Sequence, residues 1–334
     1  MNVASSTRTV GWYRTPLGRT TIRNLNQRSN WKGSLQISAH VGLIALTGSV
    51  AWMVQDQWHL LLPTLFLYGT FYVFLLNATH ELSHNTVFRT KSLNGLFLRL
   101  FCFLGWRNHV LFWASHSAHH KYTLHPPDDL EVVLPRKLTV SEFIRITFVD
   151  PWTLYLTIRK AILHSFGRLE GQWEEHLFPA HEKEKNRRLR NWARLLLVGH
   201  ATILGVSSFF GLWLLPLLTT FGVFYGGWLR FLCNQTQHTG LQDDVADFRL
   251  CTRTVLLSPL TRFLYYHMNY HIEHHMFPAV PCYNLGKLHA LIRHDLPHCP
   301  NGLIEAYRQI ITILKNQRED PGYQFVPDLP ARVR

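Results

Sequence analysis

Charge is scarce in this chain. Only 16% of its 334 residues are Asp, Glu, Lys or Arg, against about 25% in soluble domains. Mean hydropathy is near zero, so the apolar residues are gathered into blocks separated by polar stretches. This argues against a disordered or fully solvated chain and points toward a membrane. Acid is scarcer than base: 21 Asp and Glu face 34 Lys and Arg, a net charge of +13 with histidine neutral. Residues 1–34 hold no acid, against Arg8, Arg14, Arg19, Arg23, Arg28 and Lys32. Such a surplus can bind nucleic acid or mark the cytoplasmic side of a membrane protein. No nucleic-acid-binding motif is present, so the membrane reading is preferred and no nucleic-acid partner is expected. The five cysteines (Cys102, Cys233, Cys251, Cys282, Cys299) are scattered and form no C-x-x-C pair. A disulfide framework is therefore not expected, and the polar side of the molecule belongs in a reducing compartment. There is no internal repeat and no low-complexity tract. No apolar segment followed by a cleavage site marks a signal peptide, so residues 1–34 read as a basic cytoplasmic arm.

What the chain does have is long apolar runs. Leu35 to Val54 has only His40 as an ionisable residue, and about 20 helical residues cross a hydrocarbon core of ~30 Å. A linker without Lys or Arg, Gln55 to His59, leads into a second run from Leu60. Leu195 to Phe231 is long enough for two more spans, with a turn near Gly211 and Pro216. The expectation is an all-α integral membrane protein with spans at 35–54, 60–79, 192–210 and 212–232, paired in two hairpins. Leu93 to Trp106 reads as an interfacial or re-entrant segment, His109 to Tyr122 as a helix, and Leu124 to Lys137 as a proline-marked loop. Phe143 to Phe166 reads as an amphipathic surface helix, and 292–334 as a cytoplasmic tail after a membrane domain of 35–291. Lys and Arg avoid the two expected outer turns, so the positive-inside rule puts both termini on the cytoplasmic side. That face would lie on the endoplasmic reticulum of a eukaryote or the inner membrane of a bacterium.

Histidine is the excess: 21 are present. "HELSH" holds His80 and His84, "HSAHH" holds His116, His119 and His120, and "HIEHH" holds His271, His274 and His275. Positions i, i+3 and i+4 share one helix face, so each group presents its imidazoles in one direction. Alone, H-E-x-x-H is the zinc-protease pattern, with Glu81 as general base. Eight imidazoles exceed the three or four ligands one zinc takes. They suit two metals, and imidazole serves Fe, Zn, Cu and Ni alike. His238, after the last apolar run, falls on the same expected face. A cytoplasmic helical cap carrying a dimetal site follows. Its rivals are an intramembrane zinc hydrolase and a non-catalytic receptor or metal-handling protein.

The three groups resemble the histidine boxes of the membrane fatty acid desaturase and hydroxylase superfamily, H-x(3–4)-H, H-x(2–3)-H-H and [HQ]-x(2–3)-H-H. Order, spacing and placement agree over roughly Leu35 to Leu291, and "HHKYTLHPPDD" and "NYHIEHHMFPAVP" resemble the stretches around the second and third boxes. The resemblance implies a non-heme di-iron centre that uses O₂ to desaturate a fatty acyl or lipid chain. It implies a ninth histidine between the last span and the third box, which His238 matches. It also implies an Asn four residues earlier that holds a metal-bound water, which Asn234 matches. Candidates for acidic groups orienting the histidines are Glu81, Asp128, Asp129 and Glu273. His125 departs from the family's usual Asn and reads as a loop residue. Trp106, Trp113 and Trp228 are candidates for a substrate tunnel, with core packing as their alternative. Neither an H-P-G-G heme motif nor a rubredoxin cysteine pair is present, so electrons are expected from a separate ferredoxin or b-type cytochrome. Relatives in the superfamily also hydroxylate or form ketones, and some act on small metabolites, so those outcomes stand as alternatives.

Overall fold

A computed structural model describes residues 8–331, and among these the chain is helical throughout, with isolated bridges in place of any strand. Three helices are long and apolar enough to cross a membrane: Asn30–Met53, Trp58–Ser83 and Lys183–Phe209. The first two pack as a hairpin, joined by a turn in which Gln57 donates its N–H to the Val54 carbonyl. The second breaks briefly at Val73 and Phe74 and resumes as Leu75–Ser83, which carries the first histidine group. His40 ties this pair to the segment before the third group. One ring nitrogen lies 3.0 Å from the Tyr266 hydroxyl and the other 2.9 Å from the Phe71 carbonyl.

The expected fourth span, 212–232, is not one helix. It forms a short helix Leu214–Leu218, a single 3₁₀ turn Gly222–Phe224 and a helix Trp228–Gln235. Composition explains the break: Gly211, Pro216, Gly222, Gly226 and Gly227 punctuate the run. Irregular backbone withdrawn from water needs other partners for its polar groups, and here side chains supply them. The Tyr72 hydroxyl donates to the Thr219 carbonyl at 2.8 Å, the Trp106 indole to Thr220 at 2.8 Å and the Thr70 hydroxyl to Gly226 at 3.1 Å. Tyr68 donates to Leu218. Gly226 has φ +67°, and a Cβ there would lie 2.6 Å from the Phe66 carbonyl oxygen and 2.7 Å from Thr70 N. Two backbones thus touch where an ordinary span would have stood apart. His200 of the third long helix locks the same region. It stacks between Phe103 and Trp106, and its nitrogens meet the Phe103 carbonyl and the Thr220 hydroxyl.

Around this framework lie shorter helices. Lys91–Leu104 packs beside Leu75–Ser83, and His109–Tyr122 follows it. The expected single surface helix is two, Val140–Phe148 and Pro151–Ser165. Pro151 opens the second, whose N-terminus Asp150 caps by accepting from Thr153 N at 2.9 Å. Ile144, Phe148, Trp152 and Tyr155 on them are exposed, as an amphipathic surface element requires. The stretch beyond 292 contains a packed helix, Gly302–Glu319. Its Ala306, Ile310 and Ile313 are buried at helical spacing, and its Tyr307 hydroxyl donates to the Leu232 carbonyl.

Candidate metal centre

The nine histidines predicted from sequence converge, and they do so as two groups. His80, His84, His116, His120 and His274 form one; His119, His238, His271 and His275 form the other. Within each group one nitrogen per residue lies within 4.8 Å of all the others. The split follows helix geometry. At 3.6 residues per turn, positions i and i+4 differ by about 40° while i+3 swings to the other side of i. So His116 and His120 enter one group and His119 the other, whereas His271 and His275 enter one and His274 the other. The two groups touch: the His120 and His275 rings stack at 4.5 Å between centroids.

Each box is held by its own local structure. Asn108 caps His109–Tyr122, its side-chain oxygen accepting from Val110 N at 3.1 Å and Leu111 N at 3.4 Å. His238 sits in a turn pinned by the buried Arg253, whose guanidinium donates to the carbonyls of Thr236 at 2.7 Å and Thr239 at 3.2 Å. Its Nδ1 faces the Cys251 carbonyl at 2.9 Å, which turns Nε2 inward.

The inward nitrogens lie at a spacing that an N–H···N hydrogen bond between neutral rings also has, but His116 and His238 hold their Nδ1 protons on Glu131 and on the Cys251 carbonyl, so their Nε2 atoms turn lone pairs toward their neighbours. Nε2 of His116 is 3.1 Å from that of His84 and 3.0 Å from that of His120, and His274 is 3.1 Å from His120. In the second group His271 is 3.0 Å from His238 and 3.2 Å from His275. Nitrogens ~2.1 Å from one metal and at right angles about it would be about 3.0 Å apart. His80 Nε2 is buried with no hydrogen-bond partner. Burial and mutual repulsion push His116, His120, His271 and His275 well below the ordinary histidine range. Burial brings His84 to about 4, and His238, burdened also by the His119 charge, to about 3. These rings are neutral donors, and the residues present fit two metal ions.

A family model described as "Fatty acid desaturase" matches residues 56–303, well over half the chain. The chain belongs to the fatty acid desaturase family. It is similar to the Delta(5) fatty acid desaturase fat-4 of Caenorhabditis elegans, at 26% identity over 266 residues, 70% of this chain. The match spans 57% of that relative's length.

In this desaturase-family chain the outer nitrogens of the histidines meet a ring of acceptors. His119 Nδ1 donates to Asp129 at 2.7 Å, and Asp129 also accepts from Leu124 N and Glu131 N. Burial works against a charge on His119, but the Asp129 carboxylate outweighs it and raises the ring's pKa. His80 Nδ1 meets Glu81 at 2.9 Å. Such bonds fix the tautomer and aim of a ligating histidine. Glu81 is buried and does not line the cavity between the groups, a poor position for a general base. Two of the four acidic candidates do not reach a grouped histidine through the described hydrogen bonds. Asp128 is buried without such a bond, and Glu273 serves Thr254 and His289 instead. The sequence reading missed Glu131, which accepts from His116 Nδ1 at 3.0 Å and from Ser115 at 2.6 Å. Its only signal was its place two residues beyond Asp129 in the same loop. His125 stays outside both groups, its ring on the Thr123 carbonyl. Asn234 lines the cavity with both groups, and its buried side-chain oxygen has no partner. Of the three tryptophans, Trp106 and Trp228 are engaged in packing and hydrogen bonds with Thr220 and Thr70. Trp113 lies 6.0 Å from the His84 ring and is 45% exposed.

Proposed function

We propose that this chain is a membrane desaturase that carries two irons on the nine histidines and introduces a C=C bond into a fatty acyl or lipid chain. What carries the reading is the division of the histidines into facing groups of five and four with ligand-like nitrogen spacing. Bound there, the iron pair would supply reduction of O₂. Overall, O₂ takes two hydrogens from adjacent carbons, with two electrons and two protons from outside, and leaves as two waters.

The residues of the chain do the positioning. Asp129, Glu131 and Glu81 hold the Nδ1 protons of His119, His116 and His80, so the Nε2 lone pairs stay turned inward. Asn234 offers an unpaired acceptor to a water or substrate hydrogen between the groups. The hydrophobic bodies of the membrane helices keep bulk water from one side of the site. Electrons come from a separate ferredoxin or b-type cytochrome. A cavity of about 960 Å³ beside Trp113, where Arg99, Lys183, Lys185 and Arg188 outnumber Glu182 and Glu184, is a suitable landing for such an acidic donor. In this reading the termini and the cap face the cytoplasm, as the basic residues imply.

The test is lipid profiling after expression with a compatible reductant, under air and without oxygen. New alkenes that depend on O₂ are expected. An alcohol or ketone as the main product, or alkene formation without oxygen, would contradict desaturation. Peptide cleavage abolished by Glu81→Gln would support the zinc hydrolase instead.

A further inference from the structure

The cavity that the two groups share, about 130 Å³, also carries two arginines, Arg107 and Arg230. Both are half-buried, and an arginine so placed most often pairs with a carboxylate, because a charge with reduced hydration and no partner is costly. These two do not. Arg230 Nε donates to the neutral Asn77 side chain at 2.9 Å. Arg107 Nη1 donates to the Leu76 carbonyl at 2.9 Å and the Thr79 hydroxyl at 2.8 Å, and its guanidinium lies 4.3 Å over the Phe112 ring. Among the described residues no carboxylate comes within ion-pair distance of either, and each repels the other. Glu131, on the same wall, bonds His116 and Ser115 and acts on Arg107 only from beyond ion-pair distance. Each guanidinium has five N–H donors, and most of theirs are left for whatever enters. An aliphatic chain alone gives no reason for two cations at this place.

We propose that Arg107 and Arg230 clamp an oxyanion of the substrate, a carboxylate or a phosphate, inside the cavity beside the histidines. This rests on the desaturase reading and narrows it. The substrate enters with its charged end toward the histidines, and the bond that is oxidised lies only a few carbons from that end. Guanidinium forks match both oxyanions in the same way, so the clamp itself does not choose between a free carboxylate and a phosphate ester.

The test is calorimetric titration of the full-length protein in detergent with decanoate, decyl phosphate and decanol. At least one anion is expected to bind tenfold or more tightly than decanol, and the ratio between the anions names the source. Arg230→Gln should remove that preference while leaving decanol binding unchanged, and Arg230→Lys should keep part of it. Arg107→Gln also loses its bonds to Leu76 and Thr79, so the decision rests on the native protein and the Arg230 variants. Equal binding of all three probes, or an undiminished preference in Arg230→Gln, overturns the clamp. Metal content of the same samples separates the two claims. Two irons without anion preference sinks the clamp alone, and anion preference without bound metal sinks the di-iron reading alone.

Discussion

His119 and His120 are adjacent in sequence, yet their rings belong to different histidine groups. Their centroids are 6.1 Å apart and the ring planes are inclined at 73°. His119→Ala and His120→Ala should therefore each lower bound iron from about two per chain toward one, through opposite sites. His119→Ala with His275→Ala should still leave about one ion, because both residues serve the same group. His119→Ala with His120→Ala should leave fewer. Elemental analysis of anaerobically purified variants reads this directly.

Glu131 touches His116 and Asp128 touches no grouped histidine, although both lie in one loop. Glu131→Gln should weaken metal retention about 10–100-fold, the usual cost of losing a group that orients a ligand. Asp128→Asn should change it by much less. Competition with a chelator at increasing concentration gives both numbers.

Arg253 is buried and holds two carbonyls that flank His238. Arg253→Ala strands them, at about 1–3 kcal/mol each, and frees the turn. Loss of metal from the four-histidine group should then accompany a lower unfolding temperature, measured on the same preparation. A fall in stability with full metal retention would show that the turn holds its shape without Arg253.

Gly226→Ala should destabilise the fold by more than about 1 kcal/mol, since φ is positive there and a Cβ meets the Phe66 and Thr70 backbone. Gly205→Ala, where a Cβ meets nothing, is the matched control inside the third long helix and should be neutral or slightly stabilising. Thermal unfolding in detergent compares the two.

Much of the site was legible because its signal is local. Three boxes at helical spacing on predicted helices named eight histidines, and the end of an apolar run named His238. Helix geometry also contained the division into two groups, but only the folded positions of the third box and His238 show which rings meet. The run at 212–232 was expected as one continuous helix and is broken, because a hydropathy run records composition and not continuity. Its carbonyls are satisfied by Tyr68, Tyr72, Thr70 and Trp106, far away in sequence, and no local pattern announces such partners. The acidic groups divided for the same reason. Asp129 and Glu131 lie on the side of their loop that faces the His109–Tyr122 helix, whereas Glu273, although inside the third box, turns toward His289. Arg107 and Arg230 gave no signal, since a single arginine between apolar residues looks like the end of a span.

The central claim is that nine histidines hold two irons. The most direct measurement is the metal content of the full chain purified without oxygen and reconstituted with ferrous iron, followed by Mössbauer spectroscopy after exposure to O₂. The account predicts about two irons per chain with the spectrum of a coupled pair. A single zinc, or iron that never exceeds one per chain, would contradict it.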